Sequence, residues 1–157
     1  VSHAIALDGD RTQDATADEL IAAFRTWGLA GSIDRLTVPL RRQGVCVRME
    51  TPHHGLEIPA ACAILLYRAG QEILTNAFRH SNATEMAVRL EAVYHGIRLT
   101  ITDNGIGFSP ESQAEASRNH RYGVCLMTMA VNEAHGFVSV DSAPGRGTKV
   151  AVTIPLD

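Results

Sequence analysis

The chain has 157 residues, a formal charge of −3 and 45% apolar residues, the balance of one ordinary globular domain. That charge gives no electrostatic case for nucleic acid, and an aromatic share of 5% argues against a base-stacking platform. Three scattered cysteines, Cys46, Cys62 and Cys125, without any Cys-x-x-Cys, exclude a disulfide framework and a zinc site of the usual spacing, and no apolar run is long enough to span a bilayer.

Residues 1–13 carry no clear period and read as a frayed start. Thr16-Ala17-Asp18-Glu19 resembles a helix N-terminus. Leu20, Ile21, Phe24 and Trp27 follow at helical spacing until Gly28. Ser32 is a candidate cap for a second helix reaching Gln43, with Ile33, Leu36 and Leu40 inward. Residues 45–50 alternate like a strand. Pro59 suits the first turn of a long helix ending near His80. Met86, Val88 and Leu90, then Ile97, Leu99 and Ile101, alternate on either side of Tyr94-His95-Gly96 and predict an antiparallel hairpin. Residues 109–122 are polar and poor in strand formers, and read as a mobile loop. Gly123 is taken to open a further helix that closes near Gly136. Two strands joined by Pro144-Gly145-Arg146-Gly147 end the chain. This order predicts an α+β fold, a two-layer sandwich of one mixed, mostly antiparallel sheet with its helices on one face.

Glu72, Asn76 and His80 are four residues apart on the long helix. Each step of four turns it by only about 40°, so the three form one stripe. Polar groups turned toward a core need partners, and a magnesium-bound triphosphate is one set that suits all three. Magnesium prefers oxygen ligands, so the Asn76 amide oxygen with phosphate oxygens would suffice. Glu72 could orient or deprotonate a group beside the γ-phosphate, and Arg79 and His80 offer donors to phosphate oxygens. Asp103 stands where an apolar strand runs out into Asn104-Gly105-Ile106-Gly107. An ionised carboxylate there can accept from the exocyclic amine of adenine, and Gly105 and Gly107 let the backbone approach a flat base. Asp-Asn-Gly is equally a good turn sequence, and Gly145-Arg146-Gly147-Thr148 alone is a tight hairpin turn.

Taken together and in this order, the segments Leu66–Ser81, Asp103–Phe108 and Ser142–Thr148 followed by Ile154-Pro155-Leu156 resemble the N box, first glycine box and closing motif of the ATP-binding catalytic domain of bacterial sensor histidine kinases. The similarity is greatest to the branch that pairs with helix-turn-helix response regulators, and it covers about 32–157. It implies the Bergerat ATP-binding fold, with residues 1–31 as a flexible start and remnant of a preceding helical dimerisation region. It also implies that Asn76 holds magnesium, that Glu72 acts near the γ-phosphate, and that Asp103 recognises adenine beside Gly105, Gly107 and Thr148. Residues 109–122 would then be an ATP lid. The second glycine box is matched at Gly123, Val124 and Met127, but Arg121 fills its first glycine slot. Arg121 either obstructs the phosphates or sets a guanidinium on them.

None of the seven histidines precedes an acidic residue, so the family's phosphoacceptor is missing and the isolated chain is not expected to label itself. The resemblance implies ATP and Mg2+ as ligands and a cytoplasmic location, free-standing or as part of a membrane-bound sensor, without membrane contact by this chain. Its expected partners are the protein's own dimerisation and phosphoacceptor domain, as a homodimer, and a response regulator. A catalytically weak signalling module and an anti-sigma-type serine kinase are the competing readings.

Overall fold

The computed structural model describes residues 15–51, 58–80, 82–107 and 118–156; for His80 and 118–125 it describes the backbone path alone. In chain order the elements are α1 (Ala17–Arg35), α2 (Val38–Arg42), β1 (Cys46–Glu50), α3 (Ala60–His80), β2 (Glu85–Val93), β3 (Gly96–Asp103), α4 (Arg118–Glu133), β4 (Phe137–Ser142) and β5 (Thr148–Pro155). The strands form one sheet in the order β1-β2-β3-β5-β4. β1 and β2 run parallel, as strands joined by a crossover helix can, and every other pair is antiparallel.

Alternation explains which face the helices cover. Met86, Val88 and Leu90 of β2 and Ile97, Leu99 and Ile101 of β3 are buried, while the residues between them are partly or fully exposed. Those buried positions meet Leu66, Ile73 and Leu74 of α3, Ile33 of α1 and Val131 of α4 in one core. The expected two-layer α+β architecture is therefore present. Gly70 lies where α3 crosses β3 and meets α1. A methyl group there would come within 3.3 Å of Leu99 Cδ2 and 4.0 Å of Ile33 Cγ2, so its absence lets α3 lie close to the sheet and to α1.

Three local expectations change. Gly28 does break the first helix, at φ 74° and ψ 167°, but helical turns resume at once on its far side and α1 continues to Arg35. Ser32 lies inside this second half instead of capping it, and its hydroxyl donates to the Gly28 carbonyl at 2.8 Å. The helix expected over 32–43 is interrupted after Arg35. Pro39 has no N–H to give the preceding turn and its ring opposes the carbonyl four residues back, so a fresh short helix starts around it. The Thr37 hydroxyl closes the junction by donating to the Asp34 carbonyl at 2.6 Å.

The third change concerns α4, which begins at Arg118, so Gly123 lies within it instead of opening it. Arg118 to Tyr122 contains no proline or β-branched residue, and a single helical glycine costs only about 1 kcal/mol. The rest of the expected lid, 109–117, lies outside the described residues.

The expected boundary between 31 and 32 falls inside α1. Leu20, Leu29 and Ile33 are buried along that helix, the Phe24 and Tyr67 rings meet edge-on at 5.8 Å, and Arg68 donates to the Ala15 carbonyl at 2.9 Å. Among the described residues, no helix is long and apolar enough to cross a membrane.

Candidate functional site

Asp103 is the last residue of β3 and shares the parity of Ile97, Leu99 and Ile101, so its side chain points into the helix layer. It is buried, and burial pushes its carboxyl above the ordinary carboxylate range. Hydrogen bonds from the Gly105 and Thr148 backbone N–H groups act against that rise. The Gly105 bond, to Oδ1, is 2.8 Å long. An acid with little water and two fixed donors is held in place with acceptor capacity to spare.

The loop after Asp103 is pressed onto the β4–β5 turn. Gly107 has φ 69°, and a Cβ there would stand 2.0 Å from the Ala143 carbonyl oxygen. Gly147 has φ 79°, and its Cβ would stand 2.0 Å from the Asp103 carbonyl oxygen. Only glycine permits either approach. The Gly145 N–H donates to the Ile106 carbonyl at 2.7 Å and closes the contact. Thr148, directly opposite Asp103 in the β3–β5 register, is buried on the same wall.

Asn104 has a role that sequence reading did not assign. Its Oδ1 accepts from the Thr84 and Glu85 N–H groups at 2.9 Å each, and its Nδ2 donates to Thr84 Oγ1 at 2.9 Å. It ties the end of β3 to the start of β2. The only signal in the sequence was Asp-Asn-Gly, which reads as a turn. The partners come from another strand.

On α3, Glu72 and Asn76 are both partly buried, one turn apart. Burial raises the Glu72 carboxyl above its usual range, and the exposed Arg79 guanidinium opposes this. The Asn76 Oδ1 atom is buried and has no hydrogen-bond partner among the described residues. Such an acceptor is costly to leave unpaired, which fits a site that gains a cation or donor on binding. Gln71 is also buried, and its Nε2 has no partner among the described residues. It points roughly 140° around the helix from Asn76 and so belongs to a different surface.

The two halves of the site lie at one end of the molecule. α3 passes over Leu99 at Gly70. From that crossing Asn76 is about 9 Å further along the helix. Asp103 is about 13 Å further along the strand. The directions agree, because the chain leaving α3 enters β2 at Glu85, which Asn104 holds beside Asp103. The structure thus brings Glu72, Asn76 and Arg79 to the same end as Asp103, Gly105, Gly107 and Thr148. α4 packs beside α3, and its first turns carry the backbone of Arg121, Gly123 and Val124. The side chains of His80, Arg121 and Val124 lie outside the described residues. A cavity of 330 Å³ lined by Leu40, Gln43, Val45, Ala77, Asn82 and Ala83 includes none of these site residues.

A family model described as histidine kinase-, DNA gyrase B-, and HSP90-like ATPase matches residues 62–157. The sensor protein VraS of Staphylococcus epidermidis is 31% identical over 131 residues, which is 82% of this chain and 36% of that protein. The histidine-protein kinase/phosphatase DegS of Bacillus subtilis is 33% identical over 93 residues, 59% of this chain and 24% of that one. The sensor histidine kinase LiaS of the same organism is 38% identical over 91 residues, with 58% and 24% covered. The chain therefore spans between 24% and 36% of the length of these relatives. Among solved structures, the histidine kinase domain of the Erythrobacter litoralis EL346 blue-light-activated kinase superposes with a TM-score of 0.62 at 22% identity, covering 79% of this chain and 57% of that one. Acinetobacter baumannii AdeS gives 0.64 at 14% identity, covering 80% and 64%. These two likenesses concern the fold.

Proposed function

The chain belongs to the family of histidine kinase-, DNA gyrase B- and HSP90-like ATPases, as an ATP-binding domain of the sensor-histidine-kinase type, and from that premise we propose that it binds Mg·ATP between α3 and the β3–β5 wall. It then presents the γ-phosphoryl to a histidine on a dimerisation domain of the same protein, for relay to an aspartate of a response regulator. The observation that carries the reading is the buried Asn76 Oδ1, without a partner among the described residues, on the helix whose chain continues into β2 beside Asp103.

In this proposal Asn76 Oδ1 would hold magnesium, an ion that prefers oxygen ligands and takes phosphate oxygens and water beside one or two protein oxygens. Bound there, the ion supplies neutralisation of phosphate charge. Asp103 accepts from the adenine amine, and Gly105 and Gly107 keep its approach clear of side chains. Thr148 lines the base end. Glu72, made more basic by its burial, orients or accepts a proton from the group that meets the γ-phosphate. Arg79 and His80 are the candidate donors to phosphate oxygens.

The Arg121, Gly123 and Val124 segment lies alongside the phosphates in the same proposal, with Arg121 replacing the family's glycine. Because α4 begins before Gly123, the close backbone approach there is at the side of a helix, not at its free N–H end. Residues 32–157 carry the nucleotide site, and the preceding segment leads to the dimerisation helices. The cytoplasm, where ATP is abundant, is the proposed location.

Calorimetric titration with ATP, with and without magnesium, tests the binding. Labelled γ-phosphate appearing on a dimerisation domain supplied in trans tests the transfer. Tight Mg·ATP binding without transfer would leave a nucleotide-responsive signalling module and reject the kinase.

A further inference from the structure

Asn104 carries the β2–β3 ladder one step past Asp103 and then ends it. Its N–H donates to the Glu85 carbonyl at 3.2 Å, as in a continuing antiparallel pair. The returning bond, from the Glu85 N–H, goes to the Asn104 side chain at Oδ1, 2.9 Å away. The Thr84 N–H meets the same oxygen at 2.9 Å, and Nδ2 donates to Thr84 Oγ1 at 2.9 Å. Backbone N–H groups only donate, so the atom that meets both of them is the oxygen. The orientation of this carboxamide follows from its partners alone.

This exchange sets the peptide that follows. With its side-chain oxygen on β2, Asn104 turns the chain out of the sheet, and the Gly105 N–H comes back to Asp103 Oδ1 at 2.8 Å. That N–H belongs to the same rigid peptide unit as the Asn104 carbonyl, so what holds Asn104 out of the ladder also aims the N–H. On its other side Asn104 is backed by the β4–β5 turn, where a Cβ on Gly147 would come within 3.1 Å of Asn104 Cα. Asn104 is exposed and Asp103 is buried. The clasp is therefore outside the cleft, and the carboxyl it aligns is inside.

We propose that Asn104 is a positioning residue for base recognition: clasped to the start of β2, it aims the Gly105 N–H at Asp103 and so sets the rotation of the carboxylate that meets the 6-amino group of a purine. This deepens the ATP reading above and rests on it. Asn104 itself does not touch the nucleotide, and its effect passes through Asp103.

The test is calorimetric titration of the chain with ATP and with inosine triphosphate, both with magnesium, at about pH 8 to keep carboxyls ionised. Inosine carries a 6-oxo group where adenine has the amine, and a carboxylate opposes it. The readout is the ratio of the two affinities. A smaller folded fraction weakens both nucleotides by the same factor, so the ratio does not register lost stability. In Asn104→Ala nothing holds the peptide turned out, and the ATP preference should fall about three- to tenfold, the range of one hydrogen bond. Asn104→Asp keeps an oxygen for both amides and should restore the preference to within about twofold. Asp103→Ala should lose the preference outright, and adding Asn104→Ala to it should change the ratio no further.

An unchanged ratio in Asn104→Ala, no recovery in Asn104→Asp, or a further fall in the double variant overturns the inference. Asp103→Ala separates the two levels. If it loses the preference while Asn104→Ala keeps it, only the Asn104 role falls. If the unsubstituted chain binds neither nucleotide, or Asp103→Ala keeps the full preference, the ATP reading itself is wrong and the Asn104 role goes with it.

Discussion

Gly145→Ala and Gly147→Ala form a matched pair that isolates the close approach at the heart of the site. Both glycines have nearly the same left-handed backbone, φ 75° and 79°. An alanine in that region costs about 1–2 kcal/mol from its own Cβ. At Gly145 nothing stands within 4 Å of the added methyl, so that strain is the whole expected cost. At Gly147 the methyl would meet the Asp103 carbonyl oxygen at 2.0 Å, its carbon at 3.0 Å and the Asn104 Cα at 3.1 Å, all of them backbone.

The strand and the loop must then part by roughly 1 Å or more, enough to weaken the bond from Thr148 N–H to the Asp103 carboxylate and that from Ser142 to Gly147. A hydrogen bond to a charged group contributes about 1.5–3 kcal/mol and a neutral one about 1. Gly147→Ala is therefore expected to cost about 3–5 kcal/mol, against about 1–2 for Gly145→Ala. Urea denaturation followed by circular dichroism gives both numbers, provided the denaturant slope is unchanged between variants. ATP affinity should collapse in the Gly147 variant and survive in the other. Losses for the two variants within about 0.5 kcal/mol of each other would refute the close-packed wall.

Asn76→Ala should abolish the magnesium dependence of ATP binding while leaving the nucleotide-free domain as stable as before, or slightly more so, because the acceptor it removes has no partner among the described residues; calorimetry and thermal melts measure the two effects. Asn104→Ala should cost about 1–3 kcal/mol and speed hydrogen exchange at the Thr84 and Glu85 amides, since it removes three bonds of 2.9 Å at a partly solvated site. Burial raises the folded-state carboxyls of Glu72 and Asp103 above their unfolded values, so their effect favours the fold below about pH 4 and is lost as pH climbs through the raised folded values. Glu72→Gln and Asp103→Asn should each flatten the decline of nucleotide-free stability from mild acid to neutrality, and a decline as steep as in the unsubstituted chain would contradict the desolvation argument.

Much of this fold was legible because its strongest signals are local. The 2-residue alternation of Met86–Leu90 and Ile97–Ile101 survives as the buried face of β2 and β3. The four-residue spacing of Glu72 and Asn76 by itself sets both on one stripe of α3. What was not legible depends on strand register. Asn104 finds its partners in the Thr84 and Glu85 amides, and Ser142 finds its own in Thr148 and Gly147, only after β2, β3, β4 and β5 have aligned. Pro39 was a readable break that the apolar period of Ile33, Leu36 and Leu40 overrode. Gly123 misled in the opposite sense, because a glycine that marks a boundary elsewhere is tolerated inside α4.

The central claim is that one cleft joins a cation at Asn76 to a purine at Asp103. Manganese, a paramagnetic stand-in for magnesium, tests it directly when titrated with ATP into the isotopically labelled chain. The account predicts that Mn·ATP broadens the Asn76 side-chain amide and the last turns of α3 first, that Mg·ATP shifts the Gly105 and Thr148 amides, and that Tyr94 at the far hairpin tip stays sharp. An Asn76 amide untouched while Mn·ATP is demonstrably bound would contradict it.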